Sequence, residues 1–190
     1  HFTPFSDSGL IDADALGRFI ERAYFNAGLH KYDVDSGAVI LTGEAIKRSN
    51  ARSIDELFAE QAGKFVCATA GHRLECVLAA HGSGAVERSK RLKKKILHVD
   101  VGGGTTKFAL IDAGTIVSIA ACAIGGRLMA TDDGGNWVRC DDSILTISNH
   151  LGIVFDCASD ISDSQRHQIV VCMAGVLVSV ISGSEPDSLL

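Results

Sequence analysis

The stretch from Leu97 to Ile111 constrains the fold of this chain more than any other, because three consecutive glycines lie between two apolar runs. The run before the glycines ends with Asp100 and Val101. Short β-branched runs on either side of a glycine turn are typical of paired antiparallel strands. A second turn at residues 112–114 precedes a third run over residues 115–124. The sequence therefore predicts a three-stranded antiparallel meander with a glycine loop at its first corner.

The glycine corner has the composition of an anion-binding site. Successive glycines can leave their N–H groups uncovered, so that several amides converge on one phosphate. A carboxylate beside that anion makes sense when a cation or an ordered water lies between them, and Mg²⁺ prefers this combination of oxygens. Asp100 is therefore the catalytic and magnesium-binding candidate. The candidate phosphate ligands are Gly102, Gly103, Gly104, Thr105 and Thr106.

Two other phosphate-binding patterns do not fit this corner. The Walker pattern requires Gly-Lys-Ser/Thr leading into a helix, whereas Lys107 follows two threonines and leads into a predicted strand. The dinucleotide-binding pattern also requires a helix after its glycines. A plain glycine hairpin without a ligand remains the alternative interpretation.

Residues 100–106, the meander and Ile124-Gly125-Gly126 together resemble the second phosphate motif of the actin-like ATPase superfamily. Further motifs in the same order resemble the reactivating factors of ethanolamine ammonia-lyase. These motifs are Thr42-Gly43-Glu44, Asn50-Ala51-Arg52, Phe65-Val66, Ala70-Gly71-His72, Leu74-Glu75, His81-Gly82-Ser83-Gly84-Ala85 and Gly125-Gly126-Arg127-Leu128. The resemblance is thus more specific than the glycine loop alone.

The resemblance implies an α/β fold of actin-like ATPase, or ribonuclease H-like, architecture. This architecture has mixed sheets, which include the three-stranded antiparallel meander, and flanking helices. We expect this chain to contain only part of it. Residues 1–85 would form the end of the first lobe with a connecting helix, and residues 96–190 the second lobe with the phosphate loop. The family's first phosphate motif is not found, and the chain begins with His1. We therefore expect a central piece of a longer protein.

The resemblance also implies a function and its ligands. Gly125, Gly126 and Arg127 would border ATP or ADP bound with Mg²⁺. The protein would be an ATP-dependent chaperone that releases damaged cobalamin from ethanolamine ammonia-lyase, so that adenosylcobalamin can rebind. ATPase activity is expected of the full-length protein and is expected to be weak or absent in this chain. A small-molecule kinase of the same superfamily and a non-catalytic scaffold are the alternatives.

Composition limits the partners and the location of the protein. The net charge of −5 gives no general attraction to nucleic acid or to an anionic membrane. No uninterrupted apolar run is long enough to span a bilayer. The six cysteines form no Cys-x-x-Cys pair, which favours reduced thiols in a cytoplasm. We expect a cytoplasmic protein, and association with a bacterial microcompartment is the alternative location. A homo-oligomer is one expected assembly.

The remaining pattern predicts alternating helices and strands. The predicted helices cover residues 12–28, 53–63, 71–85 and 163–181, and the predicted strands residues 38–42 and 64–69. The basic run at residues 88–95 is interpreted as a solvated connector, with docking of an acidic partner as the alternative. His72, Cys76 and His81 lack a recognised ligand spacing and are assigned to packing and capping rather than to a metal. Glu44, at a predicted strand end, is a weaker candidate for positioning water or magnesium.

Overall fold

The computed structural model describes residues 10–41, 65–69, 71–156 and 159–184, together with Pro4 and Ser6. The chain divides into two compact units, His1–Glu75 and Cys76–Leu190. The assignment of these regions to two lobes of an actin-like protein remains a prediction.

The first unit begins with helix α1, Ala13–Ala27. Its N-cap is Asp12, whose Oδ1 accepts a hydrogen bond of 2.8 Å from the amide of Ala15. The helix ends at Gly28, which adopts the left-handed conformation with φ 69°. Because a residue without Cβ takes this conformation at little cost, glycine is a common helix stop. Both predicted ends of this helix are confirmed.

Two parallel strands complete the described part of the first unit. Strand β1 is Gly37–Leu41 and strand β2 is Phe65–Thr69, with Gly37 opposite Phe65. Each strand lies within one residue of its predicted bounds. The predicted helix at residues 53–63 and Glu44 lie outside the described residues.

Two helices precede the meander in the second region of the chain. Helix α2 is His72–Gly82 and helix α3 is Ala85–Leu92, separated at Gly84, where φ is 75°. All six basic side chains of residues 88–95 are exposed, as predicted for a solvated run, although its first part is helical rather than a connecting loop. Ser89 on α3 is fully buried, and its Oγ donates to the carbonyl of Lys94 and accepts from the amide of Gly114. The helix is thus fixed to the turn of the meander through a serine inside the basic run.

The predicted antiparallel meander is present. It consists of β3, Ile96–Val101, β4, Thr106–Asp112, and β5, Thr115–Cys122, with β4 in the centre. Residues 106–109 are all buried, because the central strand is covered on both faces. On one face Ala109 and Ile111 pack with Cys76, Ala80 and Val86 of the preceding helices. The α/β class and the meander are confirmed.

A hairpin and two helices follow the meander. The hairpin strands are β6, Met129–Thr131, and β7, Trp137–Cys140, and the helices are α4, Asp142–His150, and α5, Asp163–Ser182. Helix α4 is not among the predicted helices. Seven buried side chains form the core of this region: Leu128, Ile144, Ile147, Ile153, Phe155, Ile161 and Ile169.

Helix α5 confirms the last predicted helix, with Ser162 as N-cap and Gly183 in the left-handed conformation at its end. Ile169 and Val176 are buried, Met173, Leu177 and Val180 are half-buried, and Val170 and Ile181 are exposed. By length and composition alone this helix could also cross a membrane. Core helices of soluble proteins pass the same test, so the helix is weak evidence for a membrane.

One expectation about the cysteines is wrong. Cys140, at the end of β7, is disulfide-bonded rather than reduced. Cys76, Cys122 and Cys172 are free thiols. The argument for a reducing compartment from unpaired cysteines therefore does not hold for Cys140.

Candidate phosphate-binding site

The glycine corner joins the end of β3 to the start of β4. The amide of Gly102 donates a hydrogen bond of 2.9 Å to the carbonyl of Thr105, which closes a tight turn around Gly103 and Gly104. Within the described part of the chain, neither of these two enclosed glycines donates its amide to a protein acceptor. Two adjacent N–H groups are thus available to an anion, as a phosphate-binding loop requires.

A second glycine segment packs directly on this corner. The amide of Gly126 donates to the carbonyl of Gly102 at 2.9 Å, and the amide of Arg127 donates to the carbonyl of Gly103 at 2.8 Å. The corner carbonyls are therefore occupied by these bonds. The structure brings the two glycine motifs together, although their role as nucleotide ligands remains a prediction.

Thr105 and Thr106 have different surroundings. Thr106 is fully buried, and its Oγ1 donates a hydrogen bond of 2.6 Å to the carbonyl of Ile124. This hydroxyl holds β4 to the second glycine segment. Thr105 is half-buried, and its carbonyl accepts the bond that closes the corner. In this structure the Thr106 hydroxyl is committed to the protein, so the role of both threonines as phosphate donors remains a prediction.

Asp100 lies opposite Lys107 in the register of β3 and β4. Directly opposed side chains on antiparallel strands lie close enough to interact. Lys107 is only 3% exposed, so its charge belongs to the interior of the site. Its Nζ would lie 3.8 Å from a Cβ built on Gly102. The candidate carboxylate and a buried cation thus lie at the base of the glycine corner.

Arg139 and Asp141 lie against the other side of the corner. The guanidinium of Arg139 donates through Nε to Oδ1 of Asp141 at 2.9 Å and through Nη2 to Oδ2 at 2.7 Å. Paired hydrogen bonds of this kind are among the stronger charge-assisted interactions in proteins. A Cβ built on Gly104 would lie 2.9 Å from Arg139 Nη2 and 3.2 Å from Asp141 Oδ2. The pair therefore touches one of the two glycines whose amides are available.

The hairpin that carries Arg139 is held in place at Trp137, the first residue of β7. The ring of Trp137 packs edge-on against Phe155 with centroids 5.2 Å apart. Its Nε1 donates to the carbonyl of Ser159 at 3.2 Å. Arg166 of α5 lies over the same ring, 5.9 Å from its centroid. These contacts hold the hairpin strand that carries Arg139 against α5 and the segment that precedes it.

Sequence reasoning missed Lys107, Arg139 and Asp141 as site residues. Lys107 served only to exclude the Walker pattern, although a lysine following the glycine corner could have been paired with the candidate carboxylate before it. Arg139 and Asp141 are opposite charges two positions apart, a spacing that lets two side chains of an extended segment face the same way. That spacing was a usable signal for an ion pair, but nothing local indicated its contact with the glycines.

The thiol of Cys122 lies at the end of β5, opposite Thr106. Burial raises its pKa above the ordinary value, although hydrogen bonds with the backbone of Ile124 and Thr106 partly offset that shift. A raised pKa keeps this thiol neutral at physiological pH, which makes it a poor nucleophile.

The three residues weighed as an unlikely metal cluster do not converge on one. In α2, Cys76 is fully buried and its Sγ donates to the carbonyl of Phe108 at 3.4 Å, whereas His72 and His81 are exposed. Among the residues that the structure describes, no group of three or more His, Cys, Asp or Glu side chains could hold a metal ion. A magnesium ion at Asp100 would thus need phosphate oxygens and water as its other ligands.

These features define an α/β protein with a glycine corner suited to an anion, closed by a second glycine segment. The family model described as "Ethanolamine utilisation protein EutA" matches residues 1–190. The chain belongs to this family.

Two curated relatives match most of the chain. The ethanolamine ammonia-lyase reactivase EutA of Escherichia coli (strain K12) is 38% identical over 184 residues, which are 96% of this chain and 39% of that protein. The protein of the same name from Salmonella typhimurium is 37% identical over 186 residues, again 96% of this chain and 39% of the relative. The chain thus spans about two fifths of the length of these relatives.

Solved structures give weaker likenesses. The ethanolamine utilization protein EutJ from Carboxydothermus hydrogenoformans has a TM-score of 0.46 at 20% identity, over 97% of this chain and 62% of its own. MreB 5 of Spiroplasma citri bound to AMPPNP has a TM-score of 0.42 at 19% identity, over 90% of this chain and 44% of its own. Family membership therefore rests on the sequence matches.

Proposed function

We propose that this chain carries the phosphate-binding corner of a nucleotide-dependent reactivating factor for ethanolamine ammonia-lyase. The observation that carries the proposal is the glycine corner itself. The amides of Gly103 and Gly104 are available, and the guanidinium of Arg139 lies beside both glycines, while the backbone of Arg127 is bonded to Gly103. The curated relatives that bear the name ethanolamine ammonia-lyase reactivase supply the partner.

The residues fit a nucleotide polyphosphate bound with magnesium. Gly103 and Gly104 would hold phosphate through their backbone amides, whereas the Gly102 amide closes the corner on Thr105. Thr105 and Thr106 would support the corner. Asp100 would hold Mg²⁺ through water, while Gly125, Gly126 and Arg127 would border the nucleotide. Magnesium often keeps several waters and binds through only one or two carboxylates together with phosphates, which suits a site with one carboxylate.

Binding and release of ATP would then shift the protein between states that differ in affinity for the lyase. A ligand can shift such an equilibrium only through different affinities for the two states. In the lyase complex, the state favoured by nucleotide would release damaged cobalamin, and adenosylcobalamin would rebind. Because the chain belongs to the EutA family of ethanolamine utilisation proteins, we also propose that the protein lies in the cytoplasm or at a bacterial microcompartment.

The first test is calorimetric titration with Mg-ADP of the 190-residue chain and of a form carrying the flanking segments of the longer relatives. Asp100→Asn is compared with Asp112→Asn, which changes a carboxylate at the opposite end of the meander, where Asp112 pairs with Lys95 at 3.8 Å. We expect saturable binding that Asp100→Asn weakens at least about tenfold and Asp112→Asn leaves unchanged. Absence of binding in both forms would contradict the proposed nucleotide site.

The second test addresses the partner. The extended form is mixed with ethanolamine ammonia-lyase that contains inactive cobalamin, and the released cobalamin is measured by absorbance after filtration. Release that requires Mg-ATP is expected. If the protein binds nucleotide but releases no cobalamin from the lyase, the proposed phosphate site would stand and the proposed partner would be wrong.

A further inference from the structure

We propose that Arg139 and Asp141 form a nucleotide-responsive ion pair, in which Arg139 leaves Asp141 for a bound phosphate and Asp141 then caps helix α4. This inference rests on the proposed function, because it concerns the same phosphate-binding corner.

The first step is the position of Arg139. Its Nη2 approaches the Cβ position of Gly104 to 2.9 Å, and its Nη1 approaches that of Gly103 to 3.7 Å. These are the two residues whose amides have no protein acceptor in the described chain. An anion held by both amides therefore lies within reach of the guanidinium. Arginine also matches phosphate with the same paired geometry that it now uses for Asp141.

The second step is the charge of Asp141. Its Oδ2 lies 3.2 Å from the Cβ position of Gly104, so its carboxylate would face a bound phosphate at short range. While Arg139 is paired with it, the two charges cancel beside the corner. When Arg139 binds phosphate, Asp141 gains a repulsive neighbour and needs another donor.

The third step is the alternative donor. Asp141 is the N-cap residue of α4, with extended backbone angles of φ −87° and ψ 148°, yet its side chain makes no capping hydrogen bond. Aspartate is among the best N-cap residues, because its carboxylate accepts from first-turn amides and complements the helix dipole. The carboxylate is diverted from this role by Arg139. The backbone of Asp141 is meanwhile fixed, since its amide donates to the carbonyl of Leu128 at 2.8 Å.

These three steps give two arrangements of the same side chains. In one, Asp141 pairs with Arg139 and α4 lacks a side-chain cap. In the other, Arg139 binds phosphate and Asp141 caps α4. Binding of a phosphate at the corner would thus stabilise the first turn of α4. This helix contributes Ile144 and Ile147 to the core.

The test compares Arg139→Gln and Asp141→Asn in the form carrying the flanking segments, by calorimetry with Mg-ADP and Mg-ATP. Arg139→Gln removes the phosphate-binding cation and should weaken binding about tenfold. Asp141→Asn removes the carboxylate that pairs with Arg139, keeps a good N-cap residue, and should strengthen binding several-fold. Arg91→Gln is the matched control, since Arg91 is an exposed arginine on α3, the helix that is fixed to the opposite turn of the meander at Gly114.

A second readout follows the helix. Amide hydrogen exchange at Ser143, in the first turn of α4, should slow when Mg-ADP binds the wild-type protein. In Arg139→Gln, the exchange should already be slow without nucleotide, because Asp141 is free to cap.

The outcomes separate the two proposals. Nucleotide binding with equal loss of affinity in both variants, or with no change in either, would overturn the ion-pair exchange while leaving the nucleotide site intact. Failure of the wild-type protein to bind any nucleotide would overturn both. Opposite changes in affinity together with slower exchange in α4 would support the exchange.

Discussion

Gly125 lies so close to Gly103 that a Cβ built on Gly125 would be 2.5 Å from the Gly103 carbonyl oxygen and 2.6 Å from its carbonyl carbon. Both atoms belong to the backbone of the glycine corner, so no side chain can move aside. Gly125→Ala should therefore displace the corner and lower the free energy of unfolding by about 1–3 kcal/mol or more. Urea unfolding followed by circular dichroism measures this loss.

Gly126→Ala is the matched control for that variant. Its Cβ would have as its nearest neighbour the carbonyl oxygen of Gly102, at 3.9 Å, which is ordinary contact. The free energy of unfolding should change by less than about 0.5 kcal/mol. Equal destabilisation by the two alanines would show that the close approach of Gly125 does not determine the geometry of the corner.

The buried hydroxyl of Thr106 gives a second prediction. Thr106→Val keeps the shape of the side chain and removes the hydrogen bond of 2.6 Å to Ile124. Because a buried bond is lost without a change in volume, stability should fall by about 1–2 kcal/mol. Thr106→Ser retains the hydroxyl and serves as the comparison. A valine variant as stable as the wild type, by thermal unfolding, would argue against a structural role for this bond.

The elements that sequence predicted well are those with local signals. Asp12 and Gly28 mark the ends of α1 because capping depends on the residues beside the helix. The meander was predictable because glycine turns and apolar runs lie next to each other along the chain. Helix α3 was missed, since only Ala85, Val86 and Leu92 within it are apolar and the rest of the run is polar or charged.

The candidate site was predictable only in part, for a different physical reason. Its two glycine segments were found, because their composition departs from ordinary strands and loops. Arg139 lies 35 positions after Gly104, and its contact with that glycine depends on how the hairpin packs against Phe155 and α5. Spacing along the sequence contains no information about such a contact. The spacing of Arg139 and Asp141 could have predicted their ion pair, but not that the pair lies against the glycine corner.

Ser89 gives a third prediction, which concerns the basic run. Its Oγ bridges the Lys94 carbonyl at 2.6 Å and the Gly114 amide at 3.1 Å. Ser89→Ala removes both bonds at a fully buried position and should cost about 1–3 kcal/mol of stability.

The matched control for Ser89 is Ser118→Ala, since Ser118 is an exposed serine on β5 of the same meander. This substitution should shift the midpoint of urea unfolding very little. If both alanine variants unfold at the wild-type urea concentration, the buried serine does not hold α3 to the turn of the meander.

The turn of the β6–β7 hairpin should respond to acid. Asp132 Oδ1 accepts hydrogen bonds from the amides of Gly134 at 2.9 Å and Asn136 at 2.8 Å. Hydrogen bonds from the Asn136 side chain, and then from its backbone, lower the pKa of Asp132 below its ordinary value. A carboxyl with a lowered pKa in the folded state contributes stability above its unfolded pKa of about 3.9, and loses that contribution as pH falls through the folded pKa.

The amide resonances of Gly134 and Asn136 should therefore titrate with a common midpoint below about pH 3.9 in NMR spectra recorded from pH 6 downwards. Asp132→Asn keeps an acceptor oxygen but cannot titrate, so these resonances should lose that transition. Asn136→Ala removes the largest cause of the shift and should move the midpoint upwards. A midpoint at or above the ordinary value in the wild type would show that the turn does not favour the charged carboxylate. This turn joins β6 to β7, the strand that carries Arg139. Loss of the turn in acid should therefore also make the position of Arg139 beside the glycine corner less fixed.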